Sequence, residues 1–472
     1  MRTGRITRWI GCAATVLALA AGPEIVRAET LGDALKSAYL NSGLIDQNRA
    51  LLRAADEDVA QAVAGLRPII DWTADIRRDF QRSKRGRVTR GTADNSANIA
   101  ITGSLLLYDF GRSDFLTEAA KETVLATRQT LRSVEQAVLL TAVRAYMNVI
   151  RNEEFVALRE NNLRLLKEEL RAAKDRFEVG EVTRTDVAQA ESAVALARSG
   201  LAVAEGDLAR AIEEFRNAVG RPPGDLRTPD DLPNLGDDVP AAKAVAVRRH
   251  PDILQAQRDV AAAELNIRAA AAAKRPSLNL TGRLGRSDDL GDSDSDPSSR
   301  SGSVALELRG PIYRGGRLTS LERQARAQRD RRRAQLHLAG LQVKQDVGNA
   351  FANLRAARAG RVANREAVRA AQVAFEGTRE EARLGARTTL DVLDAEQELL
   401  DSETNLISAS ADVVIAAYSV FAALGELTVR DLGLDVQTYD PAAYYDLVKT
   451  APVPVSPRGQ KLDRVLRALG KD

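Results

Sequence analysis

The stretch Gly180-Glu181-Val182-Thr183-Arg184-Thr185-Asp186-Val187-Ala188-Gln189-Ala190-Glu191 returns 205 positions later (385 − 180) as Gly385-Ala386-Arg387-Thr388-Thr389-Leu390-Asp391-Val392-Leu393-Asp394-Ala395-Glu396. The Gly, the first Thr, the Asp, the Val, the second Ala and the Glu are kept. The same offset carries Tyr108, Gly111 and Arg112 onto Tyr313, Gly316 and Arg317, and Gly220 onto Gly425. A constant offset over so long a span marks a duplicated unit. Long packed helices, which admit no insertions, keep such a register unbroken.

The residues after each Gly turn have helical period. Val187, Ala190, Val194, Ala197, Leu201, Ala204, Leu208, Ala211 and Phe215 are spaced three and four apart. Val392, Ala395, Leu399, Ser402, Leu406, Ala409, Val413, Ala416 and Val420 repeat that spacing. This is a heptad seam, and its small residues let neighbouring helices approach closely. The spacing predicts partner helices from about Ser113 to Phe177 and from about Leu318 to Ala382. Each would be roughly 95 Å long at 1.5 Å per residue. Gly180 and Gly385 suit helix C-termini. Thr183 or Thr185, and Thr388 or Thr389, can cap the helices that follow.

Four short segments alternate with period two, near 69–80, 98–108, 277–285 and 303–312. Ile70, Trp72, Ile99, Leu105, Leu280 and Leu306 fall on one face; Asp75, Arg77, Thr102, Arg283 and Glu307 fall on the other. Such strands suit a membrane barrel, with lipid on the apolar face and a wet lumen on the polar one. The plainer alternative is two hairpins exposed to solvent. Residues 81–95 and 287–302, rich in Arg, Asp, Ser and Gly, are expected to be loops.

Residues 1–28 look like an export signal: Arg2, Arg5 and Arg8, an apolar run Ile10–Ala21 too short to span a bilayer, then Val26-Arg27-Ala28. That segment carries a net +3, four Arg against Glu24, and so does the whole chain. The remainder is near neutral, so the charge gives no reason to expect a nucleic-acid partner. Cys12 is the only cysteine, and His250 and His337 are the only histidines. No catalytic set, phosphate loop, cofactor motif or metal cluster is visible, which speaks against an enzyme. No later stretch of eighteen apolar residues is found, so no transmembrane helix is expected. Any passage through a membrane must then be a closed β-barrel. Four strands cannot close one. Two chains give eight strands and three give twelve, and only twelve leave an open conduit.

The motifs Tyr108-Asp109-Phe110-Gly111-Arg112, Tyr313-Arg314-Gly315-Gly316-Arg317 and Gly385–Ala395 together resemble those of the TolC family of outer-membrane efflux proteins. The resemblance runs from about Leu31 to Leu432. It implies a mostly α fold with a small β part, in a trimer whose 12-stranded β-barrel continues as an α-helical barrel. It implies an outer-membrane duct extending into the periplasm, for efflux or type I secretion, without a cofactor. Its partners would be a periplasmic adaptor protein and an inner-membrane transporter. Residue by residue, Thr185 and Asp186 sit where relatives place a periplasmic gate carboxylate, and Arg387 where they place its basic partner. Asp391 and Asp394 sit where they place a cation-selecting ring. Ala382 departs from the pattern, since some relatives carry a gate Tyr there. These residues also fit ordinary helix starts, where Asp and Thr cap and complement the dipole. The expected division is 1–28 signal, 29–230 first repeat, 231–432 second repeat and 433–472 a mobile tail. The competing reading is a periplasmic coiled-coil adaptor or scaffold, which would have no use for four lipid-suited strands.

Overall fold

In the computed structural model of the chain, the described residues are 29–229, 236, 238–290 and 298–468. The leader expected at 1–28 lies outside them. Six elements recur in the same order, and the four helices among them recur at matched lengths. Helix α1 (Leu31–Asn41) has 11 residues and α2 (Gly43–Ala64) has 22, as have their counterparts α5 (Val239–Arg249) and α6 (Pro251–Ala272). Helix α3 (Arg112–Glu178) and its mate α7 (Arg317–Arg383) each have 67; α4 (Arg184–Val219) and α8 (Thr389–Leu424) each have 36. Between α2 and α3 lie β1 (Ile69–Arg85) and β2 (Val88–Tyr108); between α6 and α7 lie β3 (Ser277–Asp289) and β4 (Ser298–Arg309). The offset is 208 before the strands (277 − 69) and 205 after them (313 − 108), so the first hairpin is three residues longer. The helices keep register and the hairpin tips absorb the difference.

The two Tyr-containing motifs are the corners where strand turns into rod. Phe110 and Gly111 take successive left-handed conformations, φ 56° and 79°. Their copies Gly315 and Gly316 do the same at 57° and 78°. The first corner bears this strain at a non-glycine residue. There Asp109 Oδ2 accepts from the Ser113 N–H at 2.9 Å and from its hydroxyl at 2.5 Å, tying down the first turn of α3. The Tyr108 and Phe110 rings meet in a tilted contact, with centroids 4.8 Å apart.

The main core lies midway along the rods, where α1 and α2 pack on α3 and on the ends of α4 and α8. Tyr146 and Phe215 are fully buried there. The Tyr146 hydroxyl lies between the Glu29 and Arg227 carbonyls, at 2.8 and 2.6 Å, and shares its one proton between them. Glu29, at the head of the described chain, forms a bidentate pair with Arg221 at 2.6 and 2.9 Å. Farther down, the heptad seams carry the packing: Leu163, Leu166, Val194 and Ala197 in one helix pair, Phe375, Ala382, Val392 and Leu399 in the other.

The sheet is antiparallel in the order β1-β2-β3-β4, leaving β1 and β4 as edges. Its register keeps the expected faces apart. Trp72 pairs with Ile101, which pairs with Leu284, and Leu105 with Leu280 and then Leu306. On the other face Asp75 pairs with Asn98, and Thr102 with Arg283.

One expectation needs correction, and two others gain structural detail. Residues 81–95 are strand, with only Gly86 and Arg87 as turn; Gly86 has φ 64°, as the first turn position of a type II′ hairpin requires. Charges on both faces hide the alternation there. The tail carries helices of its own: α9 (Ala443–Val448) and α10 (Pro457–Ala468) follow the second repeat. The Tyr444 hydroxyl donates to Glu57 at 2.6 Å, and Arg67 donates to the Ala451 carbonyl at 2.5 Å. Finally, α8 is by length and composition apolar enough to cross a membrane, because Ala and Ser rather than charges fill its upper turns. It packs along α7 instead.

Candidate functional site at the helix-hairpin tips

The expected gate and ring residues all lie at the tips joining α3 to α4 and α7 to α8. The two tips are built alike. Gly180 and Gly385 are left-handed, φ 83° and 77°. The Glu181 N–H returns to the Arg176 carbonyl and the Ala386 N–H to the Glu381 carbonyl, each at 2.9 Å. These bonds close the helix ends in the Schellman manner.

Each following helix opens with a capping box. The Asp186 carboxylate accepts from the Thr183 N–H at 2.8 Å and hydroxyl at 2.7 Å. The Asp391 carboxylate accepts from the same groups of Thr388 at 2.9 and 2.8 Å. The caps are therefore Thr183 and Thr388, and Thr185 is an exposed residue of the first turn. The Thr183 bonds hold the Asp186 carboxyl below its ordinary range, and the Thr388 bonds, backbone first, do the same for Asp391. Hydrogen bonds to a carboxylate favour its charged form.

Within one chain the structure does not bring Asp186 and Arg387 together. Arg387 donates through Nε to Glu381 at 2.9 Å, which raises its pKa further. Asp391 contributes to that rise through its charge. The duplication is incomplete here. Arg387 replaces Val182 and Asp394 replaces Gln189 (offset 205), so at those two positions only the second tip has a basic residue and a carboxylate. Asp391 and Asp394 lie one turn apart on α8, on neighbouring positions of one face.

Sequence reasoning missed the contacts that hold the two hairpins together just above the tips. Glu396 is 3% exposed and accepts from the Asn162 side chain at 2.7 Å, linking α8 to α3. Its other oxygen has no partner among the described residues. Burial raises its pKa to about 7. Beside it, Arg379 of α7 pairs with Glu169 of α3 at 2.9 Å. The repeat held a clue. The mates of Glu396 and Arg379 are Glu191 and Lys174, which pair with each other at 2.9 Å on the surface. In the second hairpin that pair is broken, and both members turn to the first hairpin. Below these ties lies a cavity of about 230 Å³ lined by Ala172, Arg176, Arg379, Ala382 and Val392 among others. Ala382 is thus part of its wall. Among the described residues no three His, Cys, Asp or Glu gather as a metal-binding group.

Residues 34–221 and 244–426 match the model of the outer membrane efflux protein family. The chain is 36% identical over 421 residues to the outer membrane efflux protein BepC of Brucella suis, covering 89% of this chain and 91% of BepC. It is 26% identical over 430 residues to the outer membrane protein TolC of Escherichia coli, covering 88% and 86%. Among solved structures it resembles a membrane protein from Pseudomonas aeruginosa, with TM-score 0.72 at 25% identity over 84% of this chain and 90% of that one. The CmeC outer membrane channel of Campylobacter jejuni shares the fold, with TM-score 0.74 at 16% identity over 89% of both chains.

Proposed function

The chain belongs to the outer membrane efflux protein family, and from that premise we propose that three copies close one 12-stranded barrel continued by an α-helical barrel through the periplasm. It is an outer-membrane exit duct; channels, not catalysts, make up its family and fold. The observation that carries the trimer is the open sheet. Among the described residues the edges β1 and β4 have no further strand partner, and one face is apolar through the pairs Ile70–Gly103, Trp72–Ile101, Ala74–Ile99 and Ile76–Ala97. An open edge in lipid leaves backbone groups unsatisfied, so β4 of one copy must pair with β1 of the next.

The duct is passive and receives cargo from an inner-membrane transporter through a periplasmic adaptor, in efflux or type I secretion. Its resting state is held shut by Thr185, Asp186 and Arg387 meeting across neighbouring copies at the tips. Arg387 uses only Nε toward Glu381 among the described residues, which leaves donors for such a contact. Asp391 and Asp394 from three copies form an acidic ring at the narrowest point, attracting cations and repelling anions. With Ala at 382, the lock lacks one hydrogen bond that some relatives have.

Planar bilayers test the reading. Purified protein should form discrete, low-conductance, cation-preferring channels. Protein that stays with outer membranes after salt washing yet never conducts would refute the duct, and release by the wash would favour the periplasmic scaffold.

A further inference from the structure

Resting on the barrel reading, a second surface emerges at the far end of the first hairpin. A membrane strand needs about 9–11 residues. Strands β1 and β2 have 17 and 21. The hairpin therefore continues well past the bilayer, and its turn at Gly86-Arg87 lies at the end opposite the helices, on the outer side.

The lipid-facing side of this extension is patterned. On β1 the apolar series Ile70, Trp72, Ala74, Ile76 gives way on the same face to Arg78, Phe80, Arg82 and Lys84. The β2 residues opposite them are Asn95, Ala93, Gly91 and Thr89. Among the described residues of β1 and β2 no carboxylate stands on this face of the extension. Asp71, Asp75, Asp79 and Asp94 all lie on the other side, by the period of the strand and the pairing of Asp79 with Asp94. Arg78 sits 5.2 Å from the Phe80 ring, and Arg78, Arg82 and Lys84 have no carboxylate partner among the described residues. The second hairpin continues the pattern: Arg286 faces Arg300, with one acid, Asp288, bonded to Arg286 at 2.9 Å. Above an apolar belt this is a cationic collar with an aromatic residue at the interface, where girdle aromatics of membrane barrels sit.

We propose that Arg78, Arg82 and Lys84 form a docking surface for phosphate-bearing lipid headgroups of the outer leaflet, whose acyl chains run down over Ile76, Ala74 and Trp72. Cations beside an anionic lipid surface strengthen binding roughly fivefold each. Three of them on one ribbon, with no acid among them, select a phosphomonoester headgroup over a zwitterionic one.

The chain supplies its own reporter. Its two tryptophans are Trp9, in the expected leader, and Trp72, which is 74% exposed on the lipid face. Mature protein would be reconstituted in mixtures of phosphatidylcholine and phosphatidic acid, with one or the other brominated in its chains. Trp72 quenching then gives the relative binding constant. The expected preference for phosphatidic acid is roughly tenfold or more at 0.1 M salt. It should collapse at 1 M salt, where the screening length falls to about 3 Å. Arg78→Gln, Arg82→Gln, Lys84→Gln together should abolish it. Arg77→Gln, Arg85→Gln, Arg90→Gln remove as many charges from the lumen side and should leave it. No preference in the unaltered protein, a preference indifferent to salt, or equal loss in both triple variants would each overturn the proposal. Should the first triple variant not assemble, the salt titration of the unaltered protein still decides. Failure of the barrel itself would look different: no brominated lipid of either kind would quench Trp72.

Discussion

Replacing Glu396 by Gln should stabilise the junction between the two helix hairpins, and only at neutral to alkaline pH. Glu396 is buried, gives one oxygen to Asn162 and leaves the other without a partner among the described residues. Burial moves its pKa from an ordinary 4.5 to about 7. The folded chain therefore holds a proton that the opened chain releases. Below pH 4.5 both states are protonated and the junction has its full strength. As pH rises from 4.5 to 7 the opened state ionises first and stability falls; above 7 the loss is complete. A shift of that size corresponds to about 3 kcal/mol, or roughly a few hundredfold in the opening equilibrium. Gln keeps the shape and the bond to Asn162 but has no charge to lose. Hydrogen exchange of the α8 amides around Leu399 and Leu400, compared between the two proteins at each pH, reads the difference. The variant should be more protected by roughly one to two orders of magnitude at pH 8, and alike at pH 4. Equal protection at pH 8, or a gap of the same size at both pH values, would refute the argument.

Three other outcomes follow from the same geometry. Leu105→Arg or Leu280→Arg, on the apolar face, should impair assembly by ~2–4 kcal/mol near the bilayer midplane, seen as loss of heat-resistant oligomer, while Thr102→Arg on the polar face should be tolerated. The pair Asp186→Ala, Arg387→Ala should raise resting conductance in planar bilayers; unchanged conductance removes both residues from the gate. Asp391→Asn with Asp394→Asn should abolish cation preference and block by a trivalent cation. Because Thr388 holds Asp391 below the ordinary range, its charge persists as pH falls and is lost only in acid, so selectivity should weaken in that direction.

The rods were legible because their signal is redundant. Heptad spacing, glycine stops and an intact 205-residue offset agree, and both long helices end within a residue of the expected limits. The strand extensions were hidden because Arg77, Arg78, Arg82 and Lys84 put charge on both faces, which erases period two even though the ladder continues to Arg85 and Val88. At the tips, the sequence located Asp186 and Asp391 but left two Thr candidates for each cap; the backbone decides that choice, since only Thr183 and Thr388 have the extended conformation of a cap. Glu396 was invisible for a different reason. A glutamate beside a heptad seam normally faces water, and its burial depends on α3 crossing over α8, a contact between repeats that no local pattern encodes.

The mass of the detergent-extracted protein tests the central claim most directly. If neighbouring copies complete each other's sheet edges into twelve strands, native mass measurement should give three times the mature chain and no stable smaller species. A folded monomer with all four strands formed, or a stable dimer closing eight, would contradict the account.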